Sequence, residues 1–320
     1  MSYRKVTLGD VAAEAGVSKA SASAVIAGKN GGTIRISRET RDKVISAAEK
    51  LGYVPNQTAR NLRGDGGGLI AVFTYEKFFP AKATSEFYGF FSGIEQEAQR
   101  RELDLLIVND RKKAAAGRIT MASGAIMIGV DRDDSDIRSL IRQDFPLVFV
   151  GRREIAGEKT NWVTFDYEGI IRKVYDSIPS SAPGIVFIES GEDTVEPVKD
   201  KRRFVLEGAS AHHLPLKSFK YGDDLPKEAL DLIREGWFVM ISRIWMADTI
   251  TSLCRSLDVE PFGFILEDNW MNIPLVWNHW TNERETLGAL SVSYLTDIMK
   301  GENPAVPSLV ELKWEDGLKK

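Results

Sequence analysis

Residues 6–26 read VTLGDVAAEAGVSKASASAVI, and their pattern predicts two short helices joined by a tight turn. Thr7 stands three residues before Asp10, a spacing related to the capping box that begins many helices. Gly16 can end the first helix in a left-handed conformation, and Ser18 can cap the second helix. Two helices connected in this way form a helix-turn-helix, whose second helix typically enters the major groove of DNA.

A third helix and a short fourth one are predicted to follow. The third begins after Ser37 and ends at Gly52, with apolar residues at helical spacing between them. Pro55 stands where a fourth helix could begin and run over residues 56–63. That helix is marginal on its own, because helix nucleation is costly and few hydrogen bonds offset the cost. The run GDGGG at 64–68 is flexible by composition and marks a domain boundary.

The charge distribution differs on the two sides of this boundary. The chain has 320 residues and a net charge of −4, which alone says little about partners. Residues 1–63 contain 11 lysines and arginines against 5 acidic residues, whereas the other 257 residues contain 31 against 41. A basic head of net charge +6 on an acidic body of −10 favours contact between the head and a polyanion. Chance fluctuation in a short segment is the alternative.

Composition excludes several classes of protein. With 43% hydrophobic and 28% charged residues, the chain can bury a sizeable core and is neither collagen-like nor wholly disordered. The single cysteine, Cys254, excludes an internal disulfide and any multi-cysteine metal site. No apolar run approaches the roughly 18 residues of a membrane helix, and the first residues lack the apolar stretch of a signal peptide. We therefore expect a cytoplasmic protein without a membrane partner.

Beyond the boundary, short apolar runs alternate with helical stretches. The runs occupy residues 69–73, 103–108, 125–128, 147–150, 184–188 and 238–241. Continuous apolar runs of this kind indicate parallel strands that are covered on both faces. Ligands of such folds bind at the carboxyl ends of the strands, often between two subdomains.

The sequence contains no convincing catalytic or metal-binding motif. The adjacent histidines His212 and His213 have no glutamate at the spacing that zinc proteases use. The glycine-rich run at 64–68 precedes a strand, whereas a nucleotide-binding glycine loop follows one. We therefore expect no enzymatic activity, no cofactor and no metal.

The head resembles the lactose-repressor (LacI-type) family of transcriptional regulators in the order and spacing of its residues. The matching segments are VTLxDVAxxAGVS at 6–18, SxSxV at 21–25, TRxxV at 40–44 and LGYxPNxxARxL at 51–62. They cover nearly the whole head, with one insertion in the loop 28–36. The resemblance implies an all-α helix-turn-helix head and an α/β, periplasmic-binding-protein-like body of two subdomains with parallel sheets.

The resemblance also implies a division of the chain. The head would be 1–52, the hinge helix and linker 53–68, and the effector-binding and dimerisation body 69–320. Its subdomains would be approximately 69–161 plus 281–309, and 162–280 plus 310–320.

Three groups of DNA contacts in the head follow from the resemblance. Base contacts in the major groove would come from Lys19 and Ala20, and phosphate contacts from Ser18, Ser21, Ser23 and Arg41. Minor-groove contacts would come from Asn56, Ala59 and Leu62, of which the leucine wedges between base pairs and bends the duplex. Ala24 and Ala27 stand where the family usually has Arg and Asn, which predicts different or weaker base reading there. The alternative for the head is a helical bundle that contacts protein, and for Leu62 an ordinary packing role.

The body resembles the family more loosely, in segments such as SGAI at 123–126, FDYEG at 165–169 and LGAL at 287–290. The candidate effector-binding residues are Phe87, Asp166, Arg202, Asp268 and Trp270. Aromatic faces with a few charged groups suit a polyhydroxylated ligand such as a carbohydrate. Each of these residues could instead be structural, in the core or in a surface ion pair.

Taken together, the sequence predicts a homodimeric transcription regulator, and in particular a repressor. It would bind a palindromic operator of double-stranded DNA under the control of a small carbohydrate effector. Two alternatives stay open: a DNA-binding regulator without an effector, and a ligand-binding body with a vestigial head.

Overall fold

The structure is a computed structural model, and its described residues divide into two compact units, Met1–Gly66 and Gly67–Lys320. The described residues are 6–26, 36–54, 68–75, 86–109, 115–130, 135–191, 196–222, 224–260, 262–302, 304 and 308–318. Within these ranges, no helix is both long enough and apolar enough to cross a bilayer.

The first unit contains three helices, α1 (Leu8–Glu14), α2 (Lys19–Ile26) and α3 (Arg38–Leu51). The predicted capping box is present at α1: Thr7 Oγ1 accepts a hydrogen bond from the Asp10 backbone at 3.3 Å, and the Asp10 carboxylate accepts one from the Thr7 backbone at 2.8 Å.

The glycine that follows α1 makes the tight turn possible. Gly16 has a φ of 66°, in the left-handed region that other residues rarely adopt, so the chain can turn directly into α2. The three helices then share one small apolar core. Its buried members are Val11, Ala12, Ala22, Val25, Val44 and Ala47. The size of these side chains suits close packing of short helices, and the fold of this unit is a helix-turn-helix with a third helix packed against it.

The second unit contains two six-stranded sheets. The first has the order β11-β5-β4-β3-β1-β2 and is parallel throughout. Its strands are β1 (Leu69–Thr74), β2 (Asp104–Asn109), β3 (Gly124–Ile128), β4 (Leu147–Val150), β5 (Trp162–Phe165) and β11 (Ser308–Val310). The helices that accompany it are α4 (Tyr88–Arg100), α5 (Ala116–Ile119), α6 (Ser135–Arg142) and α11 (Arg284–Met299).

The second sheet has the order β12-β10-β9-β8-β6-β7 and is parallel except for its edge strand β12. Its strands are β6 (Ile185–Glu189), β7 (Leu216–Lys220), β8 (Phe238–Ile241), β9 (Gly263–Asp268), β10 (Asn278–Trp280) and β12 (Trp314–Glu315). Its helices are α7 (Tyr167–Ser177), α8 (Glu196–Ala211), α9 (Lys227–Arg234) and α10 (Ala247–Ser256), with a 3-10 turn at Ile244–Met246. The predicted parallel sheets of two α/β subdomains are therefore confirmed.

The boundary between the subdomains differs from the one expected at residue 162. Strand β5 pairs with β4 and β11, so residues 162–165 belong to the first sheet rather than to the second subdomain. The chain leaves the first sheet only after Phe165, where α7 begins and packs against α8. The chain crosses from one subdomain to the other twice more, once after β10 and before α11, and once after β11 and before β12.

Candidate functional site

The start of α2 is an exposed polar surface on the head. Ser18 Oγ accepts a hydrogen bond from the Ser21 backbone N–H at 3.1 Å, so the serine caps the helix as its position predicts. Ser18, Lys19 and Ala20 are exposed, and Ser21 and Ser23 are partly buried. Hydroxyls and an ammonium group at a helix N-terminus can bind phosphate, and a small side chain such as Ala20 permits close approach of a base edge.

The other predicted DNA contacts lie further along the chain. Arg41 is in the first turn of α3 and is partly exposed, while Ser37 caps this helix by accepting the Thr40 N–H at 3.2 Å. Asn56, Ala59 and Leu62 lie outside the described residues.

A cavity of about 580 Å³ lies between the two sheets of the body, at the carboxyl ends of their parallel strands. Residues that end or follow β3, β4 and β5 line it from the first subdomain, and residues that end or follow β8, β9 and β10 line it from the second. This is where the sequence placed a ligand site, since the carboxyl ends of parallel strands leave a crevice at the sheet edge.

One wall of the cavity is a continuous series of aromatic rings. Ring centroids are 6.5 Å apart for Phe87 and Phe90, and 6.2 Å apart for Phe90 and Phe165. The series continues at 5.9 Å from Phe165 to Tyr167 and again at 5.9 Å from Tyr167 to Trp280. Such a wall offers flat apolar faces to a ligand with C–H groups.

Two ion pairs, one buried and one partly buried, lie at the bottom of the cavity. Arg284 donates to Asp268 in bidentate fashion, with Nη2 at 2.7 Å from Oδ1 and Nε at 2.9 Å from Oδ2. Arg243 Nη1 donates to Glu267 Oε1 at 3.0 Å, and Glu267 Oε2 accepts the Ile244 backbone N–H at 2.7 Å. These charge-assisted bonds fix the four charged side chains in place.

Further ion pairs join the two subdomains at the rim. Arg152, which follows β4, donates to Asp200 of α8 at 2.6 Å, and its neighbour Arg153 lies 3.3 Å from Glu196 of the same helix. On the other side, Arg243 lies 3.5 Å from Glu86, which stands before α4. A change in the angle between the subdomains would have to break or rearrange these pairs.

Lys201 of α8 is a buried cation in the cavity wall. The residue is 6% exposed, and Nζ donates to the backbone carbonyl of Leu266 at 3.0 Å and to that of Ser242 at 3.5 Å. Burial lowers the pKa of Lys201 to about 8; attraction to Glu267 opposes this effect, and repulsion by Arg243 adds to it. The ammonium group is therefore still mostly protonated at pH 7.

The structure brings two of the five predicted effector residues to the cavity, Phe87 and Asp268. Asp166 instead caps α7, where it accepts the Gly169 N–H at 2.9 Å. Arg202 pairs with Glu189 at 2.9 Å and faces a different hollow, on the outer side of α8. Trp270 packs against the apolar core of the second subdomain. These last three residues are absent from the described wall of the cavity.

Sequence reasoning missed the charged residues that line the site most closely. Lys201 is adjacent to Arg202, but one residue turns a side chain by about 100° around a helix and so onto another face. Arg243 is not among the candidate effector-binding residues of the sequence. Its place two residues after a buried parallel strand was the signal that could have identified it.

The head matches a known family. Residues 7–56 fit the family described as "Bacterial regulatory proteins, lacI family". The maltose regulon regulatory protein MalI of Escherichia coli (strain K12) is 31% identical over 157 residues, which are 47% of this chain and 43% of MalI. The chain spans about half the length of the curated relatives it matches. The resemblance inferred from the sequence is confirmed.

Solved structures have a similar fold. The lac repressor dimer bound to operator and the anti-inducer ONPF has a TM-score of 0.71 and 18% identity, with 97% of this chain and 98% of that one covered. The complex of the transcriptional regulator CelR with cellobiose has a TM-score of 0.58 and 21% identity, covering 97% and 98%. At these identities the likeness shows the fold, a helical head followed by a body of two α/β subdomains.

Proposed function

Because residues 7–56 belong to the lacI family of bacterial regulatory proteins, we propose that the chain is a sequence-specific DNA-binding transcription regulator, and in particular a repressor. It binds a palindromic operator as a homodimer, under the control of a small carbohydrate. It acts on double-stranded DNA in the cytoplasm, without catalysis or cofactor. The observation that carries the proposal is the exposed N-terminus of α2, with Ser18 and Lys19, in a head of this family.

Within this proposal, Lys19 and Ala20 read base edges, and hydroxyls and Arg41 hold the phosphate backbone. Asn56, Ala59 and Leu62 make the minor-groove contacts that the resemblance implies. The cavity supports a controlling role for the body, because a ligand there would contact both subdomains and shift their relative angle.

The proposal is tested by the affinity of the full chain for the DNA upstream of its own gene, measured by mobility shift at moderate salt. We expect a specific complex that Lys19→Ala weakens by roughly tenfold or more, since it loses a base contact. Lys227→Ala removes the same charge from an exposed position in the body and should leave the affinity unchanged. Absence of a specific complex would favour a ligand-binding body with a vestigial head.

A further inference from the structure

The cavity wall holds one cation that has no carboxylate at ion-pair distance among the described residues. Of the lining residues that the structure describes, the cationic ones are Arg152, Arg153, Lys201, Arg243 and Arg284. The four arginines each have a carboxylate within 4.0 Å, at Asp200, Glu196, Glu267 and Asp268 respectively. Lys201 has none among the described residues, and its two acceptors are neutral backbone carbonyls.

A buried ammonium group without a counter-charge is unfavourable, and proteins normally pair such a group or exclude it. The remaining acid of the cavity does not supply the pair. Glu86 lies 3.5 Å from Arg243, with which it forms its own ion pair. Its side chain is 29% exposed, so solvent also screens its charge. A ligand that carries a negative charge would supply the ion pair that the described residues do not.

A second polar group in the same wall, a threonine hydroxyl, has no hydrogen-bond partner among the described residues. Thr164 of β5 is 5% exposed, and its hydroxyl has no hydrogen-bond partner in the described part of the chain. Buried hydroxyls are normally satisfied, so an unsatisfied one beside an open volume indicates a ligand atom there. Thr164 belongs to the first sheet and Lys201 to the second subdomain, so a ligand that satisfies both spans the cavity.

The number of unmatched charges limits the class of ligand. One free ammonium matches one carboxylate. A dianionic phosphate would bring a second negative charge against arginines that already have carboxylate partners. A neutral sugar would leave the ammonium unmatched. The aromatic series from Phe87 to Trp280 suits the C–H faces of a sugar ring.

We propose that the effector is a sugar acid, a polyhydroxylated molecule with a single carboxylate that pairs with Lys201 while a hydroxyl bonds to Thr164. This inference rests on the proposed function, because it names the ligand class of the regulator's own cavity.

The experiment is isothermal titration of the full chain at pH 7 with D-glucuronate, D-galacturonate and D-gluconate. Each is compared with its neutral parent, D-glucose or D-galactose, and glucose 6-phosphate is included as a dianion. We expect at least one sugar acid to bind about tenfold or more tightly than its parent, the effect of a charge-assisted bond. Equal affinity for the parent, preference for the phosphate, or no sugar acid bound at about 10 mM would overturn the proposal.

One variant and its matched control assign the effect to Lys201. Lys201→Gln keeps hydrogen-bond donors but removes the charge, and should abolish the preference for the acid. Lys199→Gln makes the same change at an exposed position of α8, outside the described cavity wall, and should preserve it.

The pH dependence of sugar-acid affinity can be measured on the unmodified chain, so this test does not require any variant to fold. Affinity for the acid should fall by about tenfold per pH unit above pH 8, since the carboxylate requires a protonated Lys201. The charged groups that face Lys201 are Glu267, Asp268, Arg243 and Arg284. A flat profile would contradict the pairing.

The outcome is separable from that of the proposed function. Specific DNA binding without sugar-acid binding overturns only this inference. Sugar-acid binding without a specific DNA complex supports this inference and overturns the regulator proposal.

Discussion

Lys201 illustrates how a single residue can favour function over stability. Its folded-state pKa of about 8 lies below the ordinary value of 10.5, so below pH 8 the lysine is charged in both states and the folded state bears the whole burial cost. As the pH rises from 8 to 10.5, the folded state loses its proton first and this cost disappears.

Lys201→Met should therefore raise the free energy of unfolding at pH 7 by about 2 kcal/mol, because it removes an unmatched buried charge and keeps the apolar stem. The gain should shrink towards zero near pH 10.5. Urea unfolding at the two pH values measures both quantities. A loss of stability of equal size at both would mean that the lysine is an ordinary structural residue.

Arg284 is the opposite case, a buried charge that is fully paired. Arg284→Met should destabilise the fold by about 3 kcal/mol, since it leaves the Asp268 carboxylate buried without its partner. The matched control is Arg234→Met, which breaks an exposed pair with Asp231 and should cost less than about 0.5 kcal/mol. Similar losses in chemical denaturation would argue against a special role for burial.

At this scale the sequence predicted the site only partly. Phe87 and Asp268 could be placed at the cavity because they stand at element ends that face it. Arg202 and Lys201 could not be distinguished, since the face that a helix presents to the cavity depends on distant strands such as β9, which supplies the carbonyl that binds Lys201. The partners that hold Asp166 are local, and its capping role could have been read from Asp166 and Gly169.

At the scale of elements, the crossing of α4 and α11 depends on two glycines. A Cβ atom on Gly288 would lie 2.2 Å from the backbone oxygen of Phe90, and one on Gly93 would lie 1.9 Å from that of Glu285. Neither backbone can move without separating the helices. The segment LGAL at 287–290 therefore marks a close helix contact as well as a resemblance.

Gly288→Ala should destabilise the body by about 2 kcal/mol or more, because the added methyl group overpacks this crossing. Gly117→Ala is the control, since Gly117 is at an exposed position of a short helix and its Cβ would meet nothing within 4 Å. That change should alter stability by less than about 1 kcal/mol, in either direction. Thermal unfolding measures this difference. Equal unfolding midpoints for the two variants would contradict the close crossing of the helices.

The helices of the head could be predicted because their caps and turns are local. Each capping or turn residue has its partners within four residues of itself in the sequence. These residues are Thr7, Gly16, Ser18, Ser37 and Gly52. Strand β5 could not be assigned correctly, because one of its two partners, β11, lies more than a hundred residues further along the chain. A four-residue strand carries too little periodicity to indicate which of two sheets it joins.

At the scale of the whole molecule, the charge of the head acquires a specific role. The +6 of residues 1–63 belongs to the unit that carries the helix-turn-helix, and the −10 belongs to a body that should repel DNA. Arg41→Ala should weaken binding to all DNA sequences alike and reduce the salt dependence of binding by about one unit. Affinities measured over a salt series, with operator and unrelated DNA, test this. A loss confined to the operator would contradict a phosphate contact.

The central claim is that two copies of this chain read one symmetric operator. DNase I footprinting of the full chain on the DNA upstream of its own gene tests it most directly. The proposed function predicts one protected palindromic site whose two halves are contacted equally, because the symmetry of the protein is mirrored in the DNA. Protection of a single half-site, or uniform protection without sequence preference, would contradict it.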